Sequence, residues 1–151
     1  MRLAGEPDRR QVAGRTDPQR RSGDHVLGEV LAEAAGDPDI HVLSLSPDSH
    51  HEVNALQRAA AVVVQKSLRE GFGLTVTEGL WKARPVLGGA VGGITLQVFD
   101  HHTGFLVHSI EGLSYRIRYL LNRPELAEVL GSNGRSLVLH DFLLVRHLRD
   151  W

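Results

Sequence analysis

Cysteine is absent from the 151 residues, which excludes disulfides and thiolate chemistry. No apolar run approaches the roughly 18 residues of a membrane-spanning helix, and the polar N-terminus lacks the apolar centre of a signal peptide. The chain is therefore expected to be cytoplasmic, with no membrane span. An excess of basic charge is missing too: 17 Lys and Arg against 18 Asp and Glu leave a formal net charge of -1. That balance gives no electrostatic footprint for nucleic acid. No strand is followed by Gly-x-Gly-x-x-Gly with a later acidic residue, so a dinucleotide-binding Rossmann domain is disfavoured. The nine histidines include the pairs His50-His51 and His101-His102. Adjacent side chains rarely converge on one ion, and no Cys or His-x3-His spacing completes a set, so no metal is expected.

What remains is an ordinary composition, 42% hydrophobic and 23% charged, long enough for one domain with a core and too short for two. Residues 1–24 are rich in Arg, Gly, Pro and Asp with hardly an aliphatic side chain, and read as a solvated, disordered tail. A basic arm is the functional alternative, diluted by Glu6, Asp8, Asp17 and Asp24. A domain follows over 25–151. Val26, Leu27, Val30, Leu31 and Ala34 recur at helical spacing up to the stop at Gly36-Asp37-Pro38. Ile40 to Leu45 reads as a strand. Ser49 and Glu52 have the spacing of a capping box at the start of a helix carrying Val53, Leu56 and Ala60 inward.

The next stretch organises the rest: Val62-Val63-Val64 as a strand covered on both faces, a loop with Gly71 and Gly73, then a helix from about Thr75. First-turn N–H groups of a helix lack intrahelical partners and carry partial positive charge, so they can receive a phosphate. Glu70 and Glu78 frame this loop and are placed to reach one cavity from different sides. Pro85 to Leu87 reads as the next strand, Gly88 to Gly93 as a flexible loop, and Gly104 to Val107 as another strand. Leu113, Ile117, Leu120 and Leu121 form one helical stripe and Leu126, Val129 and Leu130 a second, ending at Gly131, with a further helix from Ser132 to Leu139. Alternating strands and helices predict a single α/β Rossmann-like domain, a parallel sheet with helices on both faces and a helical C-terminal third. Ligands of such sheets bind beyond the strands' carboxyl ends.

Glu70-Gly71-Phe72-Gly73-Leu74 with Glu78, then Ala83-Arg84-Pro85-Val86, Gly92-Gly93-Ile94 and Thr103-Gly104-Phe105-Leu106-Val107, resemble the retaining glycosyltransferases of family 4 in order and spacing. Within that family Gln65-Lys66-Ser67-Leu68-Arg69-Glu70, Gly88 to Ile94 and Arg146-His147-Leu148-Arg149-Asp150 are most similar to the glycosyl-transferring trehalose synthases. The resemblance implies the C-terminal, donor-binding half of a GT-B architecture. It implies sugar transfer from a nucleotide donor such as NDP-glucose, with glucose as acceptor and no cofactor. It assigns Glu78 to the ribose hydroxyls and Glu70, the catalytic candidate, to the transferred sugar's hydroxyls and anomeric region. Backbone N–H groups of Phe72, Gly73 and Leu74, with the helix start at Thr75, would hold sugar hydroxyls and phosphate. Lys66 and Arg69 would help neutralise phosphate, with surface charge as the equal explanation.

Front-face attack, the mechanism usually given for such enzymes, requires no protein nucleophile. The bland reading of Glu70 and Glu78 is a pair favouring the helix dipole, worth about 0.3–1 kcal/mol each. Trp81 on the helix is expected in the core. The family's N-terminal strand and phosphate-binding Arg and Lys segment are not recognisable here. Histidines 101 and 102 stand where relatives have a glycine-containing turn, and Ala90 and Thr95 where Asn and Pro are expected. The expectation is a truncated donor-binding domain, inactive alone, whose partner is a missing N-terminal domain or a second copy. The alternative is a non-catalytic remnant or interaction module that retains the fold.

Overall fold

The computed structural model describes residues 18–143, with side chains from residue 25. Two units are distinguished, Met1–Ser46 and Pro47–Trp151. The first holds helix α1, Pro18–Ala34. This helix begins well before Val26 and takes in residues 18–24, which the composition had assigned to a tail; the rest of that tail, residues 1–17, lies outside the described residues. The expected strand at Ile40 to Leu45 does not form. A strand exists through pairing, and the described part of this unit contains no other extended segment to supply a ladder.

The second unit runs α2 (His50–Ala59), β1 (Val63–Gln65), α3 (Leu74–Trp81), β2 (Val86–Gly89), α4 (Ile94–Gln97), β3 (Gly104–Val107), α5 (Ile110–Leu121) and α6 (Pro124–Asp141). The sheet is parallel with order β1-β2-β3, in the register Val63↔Val86 and Val86↔Gly104. Each crossover carries a helix, as parallel neighbours require. The central strand is therefore β2, and the β-branched run from Val62 supplies an edge: Val64 is 39% exposed. Gly88 and Gly89, expected in a loop, are paired residues of β2.

Side chains alternate across β2 and divide the core. Val86 joins Val63, Val76, Leu80, Ile94, Val98 and Val138 on the face covered by α3, α4 and the end of α6. Leu87 joins Phe105, Leu120 and Leu130 on the face covered by α5 and the start of α6. Helix α6 runs unbroken through Gly131 because that glycine is a contact point with the turn after α3: a Cβ there would stand 2.1 Å from the Ala83 carbonyl oxygen. A close approach and a helix stop leave the same residue in a sequence. Helix α2 begins where expected, but Ser49 makes no side-chain cap and Val53 and Leu56 are exposed. No helix among the described residues is long and apolar enough to cross a membrane.

Candidate functional site

Two loops at the carboxyl ends of β1 and β2 meet backbone to backbone. The Gly93 N–H donates to the Glu70 carbonyl at 2.9 Å. Gly92 adopts φ +48, and a Cβ on it would lie 1.9 Å from that same oxygen. Only glycine permits both the left-handed backbone and this approach. A second tie comes from Gln97 at the end of α4, whose side chain is 1% exposed. Its Oε1 accepts from the Gly73 N–H at 2.9 Å and its Nε2 donates to the Gly73 carbonyl at 3.0 Å. The motif pattern does not single out Gln97; its one signal in the sequence is an amide inside an apolar stretch, Ile94 to Phe99, since a buried amide must find partners.

The motif residues take distinct positions on this frame. The Glu70 side chain turns back toward β1: its Oε2 accepts from Gln65 Nε2 and Ser67 Oγ, each at 3.3 Å, and Gln65 Nε2 also donates to Ser67 Oγ at 2.7 Å. Its Oε1 takes no hydrogen bond from the described residues. Lys66 is half-buried, its stem over Gly89, where a Cβ would sit 3.4 Å from Lys66 Cδ. Phe72 is 48% exposed and its ring packs 6.0 Å from that of Phe142. The Gly73 N–H is committed to Gln97, so of the backbone donors expected here those of Phe72, Leu74 and Thr75 remain. Leu74 opens α3 and is exposed; Thr75 follows, half-buried. Arg69 is exposed.

Glu78 lies on the exposed side of α3, and its Oε2 accepts from Gln57 Nε2 of α2 at 2.7 Å. No hydrogen bond among the described residues links Glu70 to Glu78. The cavities described lie elsewhere. One of about 200 Å³ is lined by Val62, Arg84, Pro85, Leu120 and Ala127, at the opposite, amino ends of the strands. Another of about 560 Å³ runs along the outer face of α5 past Tyr115, Tyr119 and Arg123. Trp81, expected in the core, is 36% exposed with the Arg135 guanidinium 5.1 Å from its ring centre. His101 occupies the turn before β3 at φ +62, a conformation that suits the glycine expected there. Among the described residues no group of three or more His, Asp or Glu is placed to hold a metal.

Residues 29–137 match the family model described as glycosyl transferases group 1. The chain belongs to that family. Trehalose synthase from Thermococcus litoralis is 45% identical over 124 residues, which are 82% of this chain and 30% of that protein. This chain thus spans 30% of the length of that relative, over its C-terminal part. Among solved structures, sucrose-phosphate synthase from Thermosynechococcus elongatus superposes with a TM-score of 0.67 at 33% identity, covering 82% of this chain and 31% of that one. The C-terminal domain of a group 1 family protein from Francisella tularensis gives a TM-score of 0.70 at 25% identity, covering 85% and 66%. The fold is accordingly the Rossmann-like half of a GT-B glycosyltransferase.

Proposed function

We propose that the chain is the donor-binding domain of a retaining hexosyltransferase that moves glucose from a nucleoside-diphosphate donor to glucose, as in trehalose synthesis. The observation that carries this reading is the 45% identity to trehalose synthase over 124 residues that include the whole stapled loop pair. The geometry supports the division of labour. Glu78, at the outer face of α3, would accept hydrogen bonds from the vicinal ribose hydroxyls, which a carboxylate does strongly. The free first-turn N–H groups of α3 and the N–H of Phe72 would receive diphosphate oxygens, with Lys66 adding charge from the end of β1.

Glu70, held through Oε2, would present Oε1 to the hydroxyls of the transferred sugar beside its anomeric carbon. As oxocarbenium character develops there, a fixed carboxylate nearby stabilises positive charge without reorganising. The departing diphosphate takes the acceptor's proton, the C–O bond to the donor breaks as the new one forms on the same face, and no residue of the chain is consumed. Holding the acceptor is proposed to need a facing N-terminal domain or a second copy, since orientation alone supplies roughly 7–11 kcal/mol of barrier lowering.

The test is product formation from labelled nucleotide-glucose and glucose, with the 151-residue chain alone and with the N-terminal part of a full-length trehalose synthase added. Disaccharide is expected only from the combination. Robust synthesis by the chain alone would remove the requirement for a facing domain; none under either condition, with donor bound, would favour a non-catalytic module.

A further inference from the structure

The hydrogen bond between α2 and α3 has a feature that stability alone does not account for. Gln57 Nε2 donates to Glu78 Oε2 at 2.7 Å, which fixes the amide's orientation, since its oxygen would be repelled by the carboxylate. The other end of the amide, Oε1, is buried and has no partner among the described residues. An orphaned buried acceptor is a cost that an apolar side chain at the same place would avoid. The last turn of α2 is itself tied down, because Arg84 Nη2 donates to the Arg58 carbonyl. Gln57 therefore approaches Glu78 from a braced backbone.

We propose that Gln57 is a positioning residue for nucleotide binding: it orders the Glu78 carboxylate before the ligand arrives. This rests on the reading of Glu78 as the ribose-binding carboxylate. Glu78 is on an exposed helix surface, where an unrestrained glutamate samples several rotamers and must lose that freedom on binding. A neutral amide suits the task. It uses one of the carboxylate's roughly four acceptor sites and leaves its charge uncompensated, so two hydroxyls can still be accepted. A Lys or Arg in its place would compete with the ligand for that charge.

The experiment is calorimetric titration of the 151-residue chain with UDP, GDP and ADP, the tightest serving as probe for the variants. Gln57→Met keeps the length and removes the donor; it is expected to weaken binding by about two- to tenfold, the factor for ordering one rotamer-rich side chain. Gln57→Glu sets a second carboxylate against Glu78 and is expected to weaken it further. In a Glu78→Gln background, Gln57→Met should add nothing, which a merely structural contribution would not reproduce. Circular dichroism and thermal midpoints confirm that each variant is folded, and Gln57→Ala stands in for any that is not. Binding weakened by Glu78→Gln but unchanged by Gln57→Met and Gln57→Ala overturns this inference alone. A Gln57→Met penalty that persists undiminished beside Glu78→Gln also overturns it. Absence of binding by all three nucleotides overturns the ribose assignment, and this inference with it.

Discussion

Replacing Gln97 by leucine should loosen the candidate site and the fold together. The side chain is 1% exposed and forms both bonds to Gly73. The two losses are unequal. The Gly73 carbonyl also accepts from the Val76 and Thr77 N–H groups at 3.1 and 3.3 Å, so it stays satisfied. The Gly73 N–H, on a buried residue, has only Gln97. Orphaning it costs about 1–3 kcal/mol, and the lost bond to the carbonyl about 0.5–1.5 kcal/mol more. Leucine's apolar gain offsets part of this, leaving about 2–3 kcal/mol. For a domain of this size that lowers the thermal midpoint by roughly 8–12 °C. Differential scanning calorimetry measures the shift, and amide hydrogen exchange shows whether protection of the Gly73 N–H is lost with it. A midpoint within about 2 °C of the parent, with Gly73 still protected, would refute the claim that this amide staples the loop.

Glu78→Gln should weaken nucleoside-diphosphate binding by about 1–2 kcal/mol with an unchanged circular dichroism spectrum, since an amide makes poorer bonds to hydroxyls than a carboxylate; unchanged affinity would remove Glu78 from the site. Gly131→Ala should destabilise by about 1–3 kcal/mol or more in urea unfolding, because the added Cβ meets the Ala83 carbonyl at 2.1 Å and α6 must shift; an unchanged midpoint would mean that α6 gives way freely. Ser109→Ala should cost about 1 kcal/mol, through the N-cap bond from the Gly112 N–H at 3.0 Å. It should also move Glu111: its own backbone N–H, and then the Ser109 hydroxyl, hold that carboxyl below its ordinary 4.5. A depressed folded-state value stabilises the fold above the unfolded value and is lost as pH falls through the folded one. NMR titration of Glu111 should therefore rise toward the ordinary value in the variant, and no movement would exclude the hydroxyl as a cause.

The fold was legible wherever the evidence is local. Helical spacing marked α5, and the sequence from Val62 to Trp81 marked the strand, turn and helix that carry the motif. Pairing and packing were not legible. Ile40 to Leu45 has the composition of a strand, but composition cannot say whether a partner is present. Gly131 looks like a stop because sequence shows the missing side chain and not the carbonyl that requires it. Val53 and Leu56 have inward spacing on α2, yet no described residue buries them. At the site, the residue types of the loop were readable from their order, whereas its braces, Gln57 to Glu78 and Gln97 to Gly73, join residues 21 and 24 positions apart. Such bonds have no period and leave no local trace.

The most direct test of the account is a map of amide chemical-shift changes on the isotope-labelled chain as nucleoside diphosphate is added. The donor-site reading predicts changes concentrated in Glu70 to Glu78 and in Val91 to Gly93, the two loops joined by the Gly93 N–H and the Glu70 carbonyl. Changes confined to Val62, Ala83 and Leu120, around the cavity at the strands' amino ends, would contradict it and place the nucleotide at the opposite end of the sheet.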